Sequence, residues 1–299
     1  ARNGMFILDS RYCEISKLLG FEPNKVEFKK LINNKTDTKS AGLNEPNFLQ
    51  KEYLNLCLWE KNTSKRFYVT EGPGASTLMG KTDKKMTDFF LSGKTNNYET
   101  EHTKIKKNYI VKCKKLDDLC KEQIIDFLKI DTEGSELSIL KGSERKLKTR
   151  QILFIKTEFV FFRYYKKHNI FGEIHNYLEK FGYRLIHIDL DQPKYSPIKT
   201  VIPSINDKGL MYAGDAYFCV DYTRFKFDKD IYKRLTLISF ALGFTNLGLF
   251  FQEKSKDLSN DQMKIINKML SKKSFLRKAV DSWKLFPSKI INLLGVIRS

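Results

Sequence analysis

The chain has 299 residues, 41% of them hydrophobic and 13% aromatic, which is enough to bury a full core and too apolar for wholesale disorder. One domain with an appendage and two domains would both fit this length. A formal net charge of +19 invites a nucleic-acid partner, but the lysines are scattered among asparagines as on a solvated surface; nucleic acid is not expected as the main substrate, while weak attraction to anionic membrane or polyanionic glycan stays open.

Strand patterns alternate with helical ones, as in a parallel sheet covered on both faces. Met5–Asp9 reads as a first, edge-truncated strand and Leu18–Glu22 as a second. A helix over about Val26–Asn33 follows, with Val26, Phe28, Leu31 and Ile32 as its apolar positions. Leu54–Trp59 and Arg66–Val69 read as strands flanking the turn-rich Glu60–Ser64, and Glu71–Asn97 as a long excursion over the sheet's carboxyl edge. Ile110–Cys113 is short and extended, and a small helix follows near Leu116–Lys121. Then come a strand at Asp126–Ile130, a helix over Ser135–Lys148, a buried strand at Ile152–Glu158 and an amphipathic helix over His168–Phe181, with Gly182 as its C′ residue. Tyr183–Leu190 and Ala216–Asp221 supply the last two strands, and no internal repeat is visible.

Beyond about Phe225 the pattern turns helical, so the expected division is 1–225 as an α/β domain and 226–299 as a basic helical extension. Leu235–Phe251 is uncharged but short for a membrane span and carries two glycines, which favours a packed helix pair. From Lys254 onward, eleven Lys/Arg oppose three Asp among interleaved apolar residues. Such a tail can lie on an anionic membrane or dock on its own domain.

Five widely spaced cysteines (Cys13, Cys57, Cys113, Cys120, Cys219) form no Cys-x-x-Cys pair and accompany no histidine cluster, so structural zinc is not expected. Buried free thiols suggest a reducing cytoplasm. No secretory signal opens the chain, but it begins at Ala1 without methionine, so that absence carries little weight.

Two segments carry chemistry. Leu19-Gly20-Phe21-Glu22-Pro23-Asn24 puts an acid at a strand's carboxyl end, where a carboxylate can accept hydrogen bonds from two vicinal hydroxyls. About a hundred residues later, Lys129-Ile130-Asp131-Thr132-Glu133-Gly134-Ser135-Glu136 ends a second buried strand in acids and opens a helix. The bland reading of Asp131 and Glu133 is charge compensation at a helix start; the alternatives are catalysis or, with Glu158, a divalent metal. The histidines show no ligand spacing, and His168 is the one to test as an acceptor-site base. Gly80-Lys81-Thr82 lacks the spacing and the flanking elements of a phosphate loop.

Together these segments resemble the FkbM-type methyltransferases and their K-I-D-x-E-G-x-E signature. The likeness covers roughly residues 5 to 222, through Leu56–Glu60, Gly72–Leu78, Leu116–Leu119, Leu140–Gly142, Thr157–Phe159 and Gly214–Phe218. It implies a Rossmann-like class I fold: one mostly parallel sheet of seven strands, the last antiparallel, binding S-adenosylmethionine across the strand carboxyl ends. By position, Glu22 would hold the ribose hydroxyls with Asn24 beside it, and Trp59 would lie by the adenine. Asp131 would stand near the methionine part or the transferred methyl, while Glu133 and Glu158 would line the acceptor pocket. Asp9 and Ser10 match the family's first cofactor motif, but Asp9–Glu14 has no glycine, and only twelve residues separate Asp9 from Glu22. The family is associated with O-methylation, often of sugar hydroxyls, so a small-molecule or glycan acceptor is implied. The alternative is a catalytically impaired Rossmann-like binding or membrane-peripheral module; oligomeric state is left open.

Overall fold

The computed structural model describes residues 8–33, 47–83, 103–190, 211–255 and 258–270. These fall into two compact units. The first takes the described residues within Lys17–Glu45 and Gln50–Lys226, the second those within Phe6–Ser16, Pro46–Leu49 and Phe227–Ser299.

The first unit is mixed α/β with three sheets among the described residues. Strands β1 (Lys17–Phe21) and β2 (Gln50–Leu54) pair in parallel. β3 (Cys57–Leu58) pairs in parallel with β5 (Ile105–Lys114), which pairs antiparallel with β4 (Thr63–Thr70). The remaining sheet has the order β6-β7-β9-β8, from Ile125–Ile130, Ile152–Val160, Ala213–Val220 and Tyr183–Leu190. Here β6 and β7 are parallel, and β9 is inserted antiparallel to both its neighbours. The last strand is antiparallel, as expected, and it lies between β7 and β8. A single seven-stranded sheet is not formed among the described residues. Of the expected first strand, Met5–Asp9, the acid Asp9 instead caps a helix of the second unit, and residues 1–7 lie outside the described ones.

Several boundaries move for local physical reasons. The expected helix Ser135–Lys148 is two, α4 (Glu136–Lys141) and α5 (Glu144–Lys148). Between them Gly142 presses on the chain at Trp59: a Cβ there would stand 2.1 Å from the Trp59 carbonyl oxygen. The Asp117 carboxylate, in the short helix α3 (Leu116–Leu119), then accepts the Arg145 and Lys146 N–H groups at 2.8 and 3.1 Å and so starts α5 afresh. Leu54–Trp59 divides into β2 and β3, and the short extended piece at Ile110–Cys113 belongs to the ten-residue β5. Helix α2 spans Lys25–Ile32, and α6 is Phe171–Lys180, followed by Gly182 at φ 77°. α6 covers one face of the four-stranded sheet, with Phe171 against Phe159 and His175 against Phe218. All five cysteines are buried and free.

The second unit is helical: α1 (Ser10–Cys13), α7 (Lys229–Leu242), α8 (Thr245–Ser255) and α9 over residues 260–270. Gly243, at φ 91°, ends α7 in the left-handed cap that glycine adopts most readily. The expected helix pair at Leu235–Phe251 is therefore present as α7 and α8, and its core includes Leu235, Ile238, Phe240 and Phe251. Asp9 N–H donates to the Ala241 carbonyl at 3.1 Å, and Leu49 N–H to Ser16 at 3.0 Å. Among the described residues no helix is long and apolar enough to cross a membrane. The tail from residue 271 lies outside them.

Candidate active site

Register places the chemistry on one face of the four-stranded sheet, near the carboxyl ends of β6 and β7. Lys129 pairs with Lys156, Lys156 with Tyr217 and Tyr217 with His187; Glu158 pairs with Asp215, and Asp215 with Asp189. Directly paired residues share a face, so a row of cations and aromatics runs beside a row of acids. The rows are knitted by Lys129–Asp131 at 2.7 Å, Lys156–Asp215 at 2.5 Å and His187–Asp189 at 2.8 Å.

Asp131 follows β6 directly, with 47% of its side chain exposed. What burial it has pushes its carboxyl upward, but the Lys129 ammonium outweighs this, helped by Lys156, and the net shift is downward. Asp131 therefore stays ionised. Glu133 behaves oppositely: burial, then the charges of Asp131 and Glu136, push its carboxyl up to about 8. Glu158 is raised well above the ordinary carboxyl range by burial and by the charges of Glu133, Glu136, Asp131 and Asp215. The three acids assigned to catalysis are thus brought into mutual electrostatic range, one ionised beside two that hold protons. Such separation of affinities within one cluster is typical of acid–base sites. Among the described residues, no group of three or more His, Cys, Asp or Glu side chains has metal-holding geometry.

The turn holding Glu133 is tightly built. Glu133 has φ 56°, a left-handed conformation costing a non-glycine residue about 1–3 kcal/mol, and Gly134 follows at φ 106°. Glu136 Oε1 accepts from the Thr132 N–H, the Thr132 hydroxyl and the Gly134 N–H at 3.0, 2.9 and 3.2 Å. That third acid of the signature therefore folds the turn. The loop after β4 closes over it: Thr77 Oγ1 donates to the Glu133 carbonyl at 2.7 Å. A Cβ on Gly134 would meet Met79 at 2.8 Å, Tyr165 at 3.2 Å and His168 at 3.4 Å. His168 is buried; burial and the Arg163 charge lower its affinity to about 4, and Nδ1 finds no hydrogen-bond partner among the described residues. It is a neutral imidazole facing Tyr165, 5.4 Å between ring centres.

The residues assigned to the cofactor divide. Glu22 follows β1 and is only 6% exposed; burial raises its carboxyl, while Oε1 accepts the Asn24 N–H at 2.8 Å. A nearly buried carboxylate at a strand end fits a pair of vicinal hydroxyls. Asn24 spends its side-chain oxygen capping α2 through the Val26 N–H at 3.1 Å. Trp59 packs against the cluster of Cys57, Phe67, Val69, Val111 and Cys113, and Lys65 Nζ stands 3.9 Å from its ring centre, which covers one face. Glu22 has Cys57 and Tyr109 in its electrostatic surroundings, whereas Asp131 has Lys129, Lys156 and Glu133. Asp9 and Ser10 belong to the second unit. Asp9 is the N-cap of α1 and is ion-paired to Arg11 at 2.5 Å, and Ser10 is exposed. Asp9 is therefore not the strand-end acid the sequence pattern suggested.

A model of the FkbM methyltransferase domain matches residues 3–185. The chain belongs to the FkbM methyltransferase family. It is accordingly an S-adenosylmethionine-dependent methyltransferase. Comparison with curated proteins and with solved structures gave no match.

Sequence reasoning missed Thr77, Lys129, Lys156, Tyr165 and Asp215 as parts of this site. Thr77, Lys129 and Asp215 lie inside segments that carry the family likeness, so the signal was present. Lys156 had one too: a lone charge within the buried run Ile152–Thr157 needs a partner.

Proposed function

We propose that this methyltransferase acts on a hydroxyl of a sugar, glycan or glycosylated metabolite, with S-adenosylmethionine as donor. The observation that carries this reading is the Glu133–Glu158 carboxyl pair beside the ionised Asp131. Glu22 fits the ribose hydroxyls; Asn24 and Trp59 fit less well, because capping and Lys65 already engage them. The bound cofactor supplies a methyl group activated by a sulfonium. The chain itself must hold an acceptor hydroxyl in line with that methyl, and take its proton as the new O–C bond forms and the C–S bond breaks.

Burial raises both Glu133 and Glu158, and the Glu133 charge adds to the shift of Glu158, so an ionised Glu133 is a strong enough base to take up the hydroxyl proton. Asp131, kept ionised by Lys129, would stand toward the sulfonium. Lys156 and Asp215 bound the acceptor side with a donor and an acceptor, a mixture suited to a polyhydroxyl compound. The paired test is calorimetry with S-adenosylhomocysteine, followed by measurement of S-adenosylhomocysteine release in the presence of a panel of glycosides. Binding with turnover on hydroxylated acceptors supports the reading; binding with turnover confined to acceptors lacking a hydroxyl overturns it. No binding by folded protein would favour the impaired module.

A further inference from the structure

Thr77 lies far from β6 in sequence and on a different sheet's loop, yet it is 1% exposed and its hydroxyl is fully committed. It accepts the Met79 N–H at 3.0 Å and gives its single proton to the Glu133 carbonyl at 2.7 Å. The backbone of Thr77 is itself fixed, exchanging N–H···O bonds with Tyr68 at 2.9 and 3.0 Å. Further along the loop, Asp83 N–H donates to the Tyr164 carbonyl at 2.8 Å. The Met79 and Tyr165 side chains both crowd Gly134, where a Cβ would stand 2.8 and 3.2 Å from them.

We propose that Thr77 is a positioning residue that locks Glu133 in its left-handed conformation and so holds the Glu133 carboxyl among the acids of this sheet end. Three features require such a lock. A glutamate at φ 56° relaxes to ordinary backbone unless its surroundings fix it. Glu136 ties down Thr132 and Gly134, the residues on either side, but the carbonyl of Glu133 itself is held by Thr77. Finally, a rotation at Glu133 would swing its side chain away from Asp131 and Glu136, whose charges act on it, and from Glu158, on which its own charge acts. The loop Gly72–Leu78 that carries Thr77 is itself held in place. Thr70 Oγ1 donates to the Gly72 carbonyl at 2.6 Å, and Ser76 Oγ accepts the Thr70 N–H at 3.3 Å, closing the loop on its own strand.

The inference rests on the reading of Glu133 as a proton acceptor, and carboxyl-carbon NMR of protein labelled at glutamate Cδ separates the two. Glu133→Gln identifies the Glu133 resonance by its disappearance. In the otherwise wild-type chain that resonance is expected to titrate near pH 8. In Thr77→Val, which keeps the shape and loses the donor, the midpoint is expected to fall by about one pH unit or more as the side chain swings toward solvent. Thr77→Ser should restore it. A folded Thr77→Val protein with an unmoved midpoint overturns the proposal. If Thr77→Val does not fold, an unmoved midpoint in folded Thr77→Ala overturns it equally. If Glu133→Gln removes only a resonance titrating in the ordinary carboxyl range, it is the proton-acceptor reading that fails.

Discussion

The Lys129 ammonium stands 2.7 Å from the Asp131 carboxylate, two residues along the same strand end. This ion pair keeps Asp131 negative, and that negative charge in turn helps hold a proton on Glu133. One lysine thus separates two acids that the signature places two positions apart.

Methyl transfer should therefore rise with pH as Glu133 loses its proton. Its raised carboxyl is protonated below about pH 8 and able to accept above it. Rates of S-adenosylhomocysteine formation should climb through that region, and Glu133→Gln should flatten the profile and lower the rate by about 10²-fold or more. A Glu133→Gln profile with the wild-type inflection would assign the titration to another group.

The same shift makes a statement about stability. Unfolded, Glu133 releases its proton near the ordinary carboxyl value; folded, it keeps the proton up to about pH 8. Between those limits the native state holds a proton that the unfolded chain has lost. This contribution is full at low pH and declines as pH rises toward 8. Glu133→Gln, which cannot ionise, should melt higher than wild type at pH 9 and close to it at pH 5, a difference on the order of a few kcal/mol. Thermal denaturation at the two pH values measures it; equal offsets at both would refute the linkage.

Glu22→Ala should weaken S-adenosylhomocysteine binding by about 1–3 kcal/mol, the loss of a carboxylate's bonds to a diol. Calorimetry reads this directly, and an unchanged dissociation constant removes Glu22 from the cofactor site.

Gly142→Ala tests the break between α4 and α5. The added Cβ would fall 2.1 Å from the Trp59 carbonyl oxygen, an impossible contact, so either the turn or β3 must move. A loss of about 2–4 kcal/mol is expected in a urea titration. Little change in midpoint would mean that the two segments are not held against each other in solution.

Lys156→Met tests the buried ion pair. Lys156 has 8% of its side chain exposed and leaves Asp215 at 2.5 Å without its cation when removed. Stability should drop by about 2–4 kcal/mol in a urea titration, and adding Asp215→Asn should recover part of the loss. No recovery in the double variant would show that packing of the lysine stem, not its charge, is what matters.

Much of the fold could be read directly from local pattern. The strands at 125–130, 152–160 and 183–190 and the helix ending before Gly182 announce themselves through apolar runs and a glycine at a left-handed cap. Asp131, Glu133 and Glu158 were nameable because a strand's carboxyl end is where a sheet delivers acids. Their roles were not, because a carboxyl group's proton affinity depends on burial and on charges from other strands: Lys129 on Asp131, and Glu133 and Asp215 on Glu158. The failure at Asp9 has the same origin. An acid after Ile7-Leu8 looks identical whether it ends a strand or caps a helix, and only long-range contacts such as Asp9 with Ala241 distinguish the two.

Residue order alone therefore determined the family, the alternation of strands and helices, and which carboxylates stand at strand ends, since each depends on neighbours close along the chain. Tertiary structure decided which of those acids is ionised, which backbone is held left-handed by Thr77, and to which unit the first motif belongs. These depend on groups dozens or hundreds of residues apart, brought within a few ångströms only by folding.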